Sequence, residues 1–401
     1  MVSLARMSDP GAGPVKALGG FDSEMKSAFI YSDQFARYKL SPLHPYDPSR
    51  VNRCYELIRR FNLLDHPDTR LVQPTALPRE EVKLAHSETY LKWLEKANAG
   101  EFTREMLEFG LGSQDCPVFP GLLEMNLLAA GATWKAAELV ADGECQFAFN
   151  PMGGYHHAGY EAAEGFCYIN DIVIAARKLL DRGLRLAYVD IDAHHGNGVQ
   201  DAFYQDDRVL VMSLHETGKT LYPGTGFETE IGEGKGKGYT VNVPLLEMSD
   251  DEVFFYAFSE VVPALLKAFQ PDLVIGVLGV DTMATDPLTH LRMTNNGFAD
   301  ICAILNQLSP RWIGLGAGGY NLDNVARGWT LAWAVITGQE TGQDDMLTLG
   351  GMFMGDADLG LCAIRDMHVY TTGPAKEAAY READRVINFL KDNVFPILGA
   401  R

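Results

Sequence analysis

Short, uninterrupted apolar runs recur along this chain, interspersed with longer stretches of helical periodicity. The runs are Phe29–Tyr31, Gln146–Phe149, Leu186–Ile191, Val209–Leu214, Leu273–Leu278 and Trp312–Leu315. They are continuous rather than alternating, as a strand must be when both faces of its sheet are covered. Helical patterns lie at Met125–Val140, Ile172–Arg182, Asp251–Phe269, Asn296–Leu308 and Leu322–Ile336. Strands alternating with helices of this length build right-handed βαβ units. The expectation is an α/β fold of three layers, helix on sheet on helix, around a mainly parallel central sheet. No internal repeat or long linker interrupts it, so one domain is expected over 26–401. Residues 1 to about 25 are enriched in Gly and Pro and read as a tail with little secondary structure.

Composition narrows the function. A chain of 401 residues with 47% hydrophobic and 22% charged residues can bury a large core without covalent staples. Its six cysteines (Cys54, Cys116, Cys145, Cys167, Cys302, Cys362) are scattered with no CxxC pair, which suits reduced thiols in a cytoplasm. The net charge of −19 offers no basic footprint for duplex nucleic acid. It would attract cationic substrates, although keeping the protein soluble needs nothing more. No segment approaches the ~20 apolar residues of a membrane span, and the N-terminus has no continuous apolar stretch of the kind a signal peptide carries.

Open parallel sheets bind ligands at the carboxyl ends of their strands. Four such ends carry unusual residues: Asn150-Pro-Met-Gly-Gly-Tyr-His-His157, Asp190-Ile-Asp-Ala-His-His-Gly196, Gly279-Val-Asp281 and Gly316-Ala-Gly-Gly-Tyr320. Asp190, Asp192 and His194 alternate at one strand end, so their side chains can point the same way. Asp192, His194 and Asp281 could hold one zinc-class ion, with a fourth position left for water as catalytic sites require. Mixed N/O ligands equally suit Fe(II), Co(II) or Mn(II). Loop caps at strand ends also use Asp and His, and that reading competes for each residue singly.

Paired histidines occur at His156-His157 and His194-His195. Neighbouring imidazoles can divide general acid and base work, with Asp190 orienting one of them. The lone His66, His86, His290 and His368 read as satisfied core residues. Tyr320, after a flexible glycine stretch, could donate to an oxyanion or simply cap a turn; residue chemistry leaves both open. Two formal matches fail on context. Gly314–Gly319 reads GxGxxG but follows the last convincing strand, and Gly232–Gly238 has neither the spacing nor the Ser/Thr of a P-loop. No GxSxG elbow is present.

The segments GGYHHAGYEAAEGFCYIND, AYVDIDAHHGNGVQDAF, YPGTG, GKGKGYTVNVPL, GVDTMATDPL and GAGGYNLDNVARGW together resemble the histone deacetylase superfamily, whose fold is shared with arginase. The pattern is nearest to the acetoin-utilization type of bacterial deacetylase. The resemblance implies Asp192, His194 and Asp281 as zinc ligands, His156 and His157 as the catalytic pair, and Tyr320 as oxyanion donor. It implies Phe166 and Tyr222 as walls of a narrow lysine tunnel, kept open by Gly165 and gated by Leu288. Asp115 becomes a rim carboxylate for the substrate backbone, and Arg50 lines an internal product channel. A structural potassium ion is implied at Asp190, Asp192, His194, Ser213 and Leu214.

Two departures stand out. Asn197 replaces an aspartate beside His157 found in many relatives, which should lower that imidazole's pKa. Tyr222 replaces a phenylalanine of the tunnel wall, which alters chain preference. Leu288 favours acyl-lysine in a peptide or protein over acetylpolyamines, the alternative substrates. A binuclear manganese ureohydrolase and a non-catalytic acyl-lysine binder are the remaining rivals; for the first, further Asp/His ligands cannot be placed. Partner copies are not legible.

Overall fold

The computed structural model describes residues 26–37, 39–339 and 364–401. Eight strands form one sheet: β1 (Ser27–Ile30), β2 (Thr69–Val72), β3 (Phe147–Asn150), β4 (Leu186–Asp190), β5 (Val209–Glu216), β6 (Thr240–Leu245), β7 (Leu273–Val277) and β8 (Trp312–Leu315). Their order is β2-β1-β3-β8-β7-β4-β5-β6, and every pairing is parallel. All six apolar runs are strands. The expected tail, residues 1 to 25, and Cys362 lie outside the described residues.

Two strands escaped the sequence reading. β2 is a short edge strand with exposed Arg70 and Leu71. β6 interleaves Thr240, Asn242 and Pro244 with its valines, and proline is tolerated only where the ladder is open on one side. Even so, every residue of β6 is buried.

Among the described residues the α-helices are α1 (Ser49–Arg60), α2 (Glu88–Asn98), α3 (Leu122–Ala141), α4 (Asp171–Asp181), α5 (Asn197–Phe203), α6 (Asp251–Phe269), α7 (Asn295–Leu308), α8 (Leu322–Ile336), α9 (Gly373–Asn393) and α10 (Phe395–Leu398). Helix contacts run α1–α8–α7–α6–α9 and, separately, α2–α3–α4–α5, giving the two outer layers. α9 also lies against β6, which covers that edge. Side chains fix the starts. Asn170 accepts from the Val173 N–H at α4, and Asp250 accepts from the Val253 N–H at α6. Asp250 is also ion-paired with Lys376 of α9, so one carboxylate starts a helix and docks another.

Seven strands are buried throughout, which explains their unbroken apolar character. Beneath the sheet's centre, Trp333 meets Phe29 edge-on at 5.2 Å and Phe147 at 5.8 Å, while Trp329 meets Phe149 at 6.0 Å. These ring pairs, each worth about 0.5–1.5 kcal/mol beyond area burial, fasten α8 to the strands that carry the site.

Candidate active site

The four unusual strand ends belong to β3, β8, β7 and β4, which are consecutive in the sheet. Four separate stretches of sequence therefore meet in one crevice. Asp192, His194 and Asp281 are buried there and offer ligand atoms all within 4.8 Å of one another. His194 Nδ1 lies 2.9 Å from Asp281 Oδ2 and 3.2 Å from Asp192 Oδ1. Backbone donors hold the carboxylates' remaining oxygens: Ala193 N–H on Asp281 Oδ1 at 2.9 Å, Gly318 N–H on Asp192 Oδ2 at 2.7 Å.

Glycine is required at the two closest approaches. A Cβ on Gly318 would stand 2.0 Å from Asp281 Oδ2 and 2.6 Å from Asp192 Oδ2, and one on Gly279 would stand 2.1 Å from Asp192 Oδ2. Electrostatics point the same way. Burial and the neighbouring Asp192 push Asp281 up to about 7, while the two carboxylates overcome burial to raise His194 to about 10. Two buried acids converging on one imidazole form a donor set that fits a zinc-class divalent ion.

Beside the trio lie the paired imidazoles. His156 Nδ1 donates to Asp190 Oδ2 at 2.8 Å, an oxygen that also accepts from the Tyr188 hydroxyl. His157 Nδ1 donates to Asn197 Oδ1 at 2.7 Å, and the two Nε2 atoms face each other at 3.1 Å. With each Nδ1–H committed, the gap between the Nε2 atoms has room for one shared proton. Burial opposes charge on both rings. For His156 the carboxylates of Asp190 and Asp192 outweigh it and raise the pKa; for His157 burial and its cationic neighbours push the pKa far down. The shared proton therefore rests on His156.

Gly165 and Phe166 wall the approach. Both have positive φ (51° and 70°), and Glu164 and Cys167 exchange backbone hydrogen bonds at 3.0 and 2.8 Å around them. This tight turn lays Gly165 against His157, where a Cβ would come within 2.4 Å of the ring. Tyr222 packs across His157 at 5.1 Å, and Phe166 meets Tyr320 at 5.6 Å and His44 at 4.4 Å. His44 Nε2 reaches the Asp115 carbonyl at 3.1 Å, while Asp115 itself is exposed at the rim. Tyr320 is 6.3 Å from His194 ring to ring, and burial keeps its hydroxyl protonated. Its backbone N–H donates to Asp286 Oδ2 at 2.8 Å, and the same carboxylate's Oδ1 accepts from Leu288 N–H at 3.0 Å. Arg50 is buried, donates to Gly319 O at 2.8 Å and lines a narrow cavity with Tyr46, Tyr155 and Gly154.

Every expected catalytic and ligand residue thus meets in one crevice. Asp190 and Ser213 are register partners across β4 and β5, which puts the potassium candidates side by side; Ser213 Oγ also lies 2.8 Å from His215 Nδ1. His195, second of its pair, turns away to Thr225 and Gln200 at 2.9 and 3.0 Å and serves the scaffold. Of the four lone histidines expected in the core, only His86 is there, accepting from Asn170 N–H at 2.9 Å. His66, His290 and His368 are exposed, because each sits on a loop that the periodicity of neighbouring elements does not reach. Glu164 and Asp286 were given no role from the sequence, and Gly279 and Gly318 were noted only as parts of the unusual strand ends. Only the glycines left a signal, as small residues two positions before Asp281 and Tyr320.

Known proteins with the same features are numerous. Residues 44–336 match the family model of the histone deacetylase domain. The acetoin utilization protein AcuC of Bacillus subtilis is 37% identical over 326 residues, 79% of this chain and 84% of that one. Histone deacetylase clr6 of Schizosaccharomyces pombe is 36% identical over 318 residues, 79% and 78% of the two chains. A crystallised HDAC homolog complexed with SAHA superposes with a TM-score of 0.78 at 29% identity, covering 91% of this chain and all of that one. One from Aquifex aeolicus gives 0.77 at 29% identity over 89% and 99%.

Proposed function

This chain belongs to the histone deacetylase family, and on that premise we propose that it hydrolyses the acetyl or short acyl amide of N-ε-acyl-lysine in proteins or peptides, releasing acetate in the acetylated case. That it is a deacetylase-type hydrolase follows from the family; the substrate, ion and residue roles are our reading. The observation that carries it is the buried Asp192–His194–Asp281 trio beside the His156–His157 pair.

Asp192, His194 and Asp281 would hold the ion, for which zinc is our choice. When bound there, a divalent ion polarises the amide carbonyl and makes water a better nucleophile. His157, anchored by Asn197, accepts at Nε2 the proton lost from the attacking water, beside His156, which Asp190 anchors and which holds the proton between the two rings. His157 returns it to the leaving amine. Tyr320, kept protonated by burial, donates to the developing oxyanion. Phe166 and Tyr222 confine an aliphatic arm, Gly165 leaves it room, Leu288 stands at the mouth, and Asp115 takes the substrate backbone. Arg50 lines the acetate exit. Asp190, Asp192, His194, Ser213 and Leu214 hold potassium as a structural ion. The five cysteines among the described residues are buried and free, which suits a reducing cytoplasm.

The test is acetate release from an acetyl-lysine peptide panel beside acetylputrescine, with and without chelator. Chelator-sensitive turnover that favours the peptides is expected. Preference for acetylputrescine would move the substrate to small amines, and no turnover of either would refute the reading.

A further inference from the structure

Asn197 presents a problem that its own chemistry does not solve. A primary amide offers an oxygen on one side and an NH2 on the other, and either could face His157 Nδ1. The two choices have opposite consequences. The oxygen accepts from Nδ1–H and leaves the Nε2 lone pair facing His156; the NH2 would favour the other tautomer and put a hydrogen on Nε2. Something must select the orientation.

Glu164 does so geometrically. Its Oε2 lies 3.1 Å from Asn197 Nδ2, and an ionised carboxylate can only accept. Asn197 must therefore turn its NH2 to Glu164 and its oxygen to His157, at 2.7 Å. The backbone of Glu164 is itself fixed. It closes the two-residue turn of Gly165 and Phe166, exchanging both hydrogen bonds with Cys167, and that same turn rests on the His157 ring. The carboxylate thus sits at a set distance from the imidazole it governs, with the amide of Asn197 between them.

We infer that Glu164 is a positioning residue for the deacetylation reaction, acting through the Asn197 amide to hold His157 in its Nδ1–H tautomer. The inference rests on the role given to His157 above. It assigns work to a residue that touches neither substrate nor ion, and it explains how a neutral asparagine can stand beside a catalytic imidazole without leaving its tautomer undefined.

An aspartate at 197 would need no such guide, because both its oxygens accept. This separates orientation from general support. In the full-length chain, Glu164→Ala lowers kcat on an acetyl-lysine peptide about tenfold, the scale typical of lost outer partners, with KM nearly constant. Glu164→Gln keeps activity between that of the parent and that of Glu164→Ala, since its amide oxygen can still accept but its NH2 no longer excludes the other orientation. In the Asn197→Asp background, Glu164→Ala costs less than about twofold. Equal losses in the two backgrounds, a Gln variant as impaired as the Ala variant, or no loss at all would overturn the inference. A second readout is independent of turnover. Long-range 15N–1H spectra of the histidine-labelled, metal-free protein, assigned through His157→Ala, show the Nδ1–H tautomer in the parent and a mixture in Glu164→Ala. Identical spectra would also overturn it. A tautomer change in a chain without peptide deacetylase activity would leave this inference standing and the substrate reading refuted.

Discussion

Tyr320 and His157 both flank His194, at 6.3 and 5.8 Å ring to ring, one bringing a protonated phenol and the other an imidazole held neutral by burial. Neither is needed for packing of the strands, so Tyr320→Phe and His157→Ala should each lower kcat/KM by about 100-fold or more while the circular dichroism spectrum is unchanged. Near-parental turnover in either folded variant would remove that residue from the mechanism. Asn197 supplies a finer test. An aspartate accepting from His157 Nδ1–H favours the charged ring, so Asn197→Asp raises its pKa. With the neutral ring as the proposed base, the acidic limb of the kcat/KM profile must move to higher pH; an unmoved limb counts against the assignment. These residues were legible because histidine pairs, glycine turns and alternating acids crowd four strand ends. Glu164 and Asp286 were not. Each acts across more than thirty positions of sequence, on Asn197 and Tyr320 respectively, and no local pattern marks such a reach.

The crevice depends on how closely β8's exit loop passes the ligands that leave β4 and β7. Gly318 N–H holds one ligand oxygen, and the position tolerates no side chain. Gly318→Ala should push both carboxylates aside and reduce bound metal tenfold or more, as disturbances around ligands commonly do (about 10–100-fold). Metal content after dialysis checks this; full stoichiometry would mean that the loop yields. Six of the eight strands could be read because burial on both faces demands unbroken apolar residues. The edges β2 and β6 could not. β2 is half exposed, and β6 owes its burial to α9, a helix more than a hundred residues downstream. Tertiary cover of that kind leaves no trace in the strand's own composition.

For the molecule as a whole, the ion is a structural element as well as a reagent. Ligand binding at about 100-fold over Kd adds about 2.7 kcal/mol to stability. Chelation should therefore lower Tm, and the drop should deepen with pH. Asp281, raised to about 7 without an ion, contributes stability that fades as pH climbs from its ordinary value near 3.8 through 7. His194, raised to about 10, contributes fully below its ordinary 6.5 and loses that as pH climbs through 10. Both losses favour a larger chelator effect at pH 8 than at pH 6, measurable by calorimetry. An equal or smaller drop at pH 8 would contradict the electrostatic account of the trio.

β8 is last in sequence yet sits fourth in the sheet, wedged between β3 and β7. A nascent chain leaving the ribosome would display Asp192, His194 and Asp281 long before the strand that brings Gly318 and Tyr320 has emerged. Until that wedge is driven home, the growing polypeptide holds its acids and imidazoles without the Gly318 amide on Asp192 and with no phenol beside them. Hydrolytic power therefore waits for β8, and a message truncated before residue 312 yields no partially working enzyme.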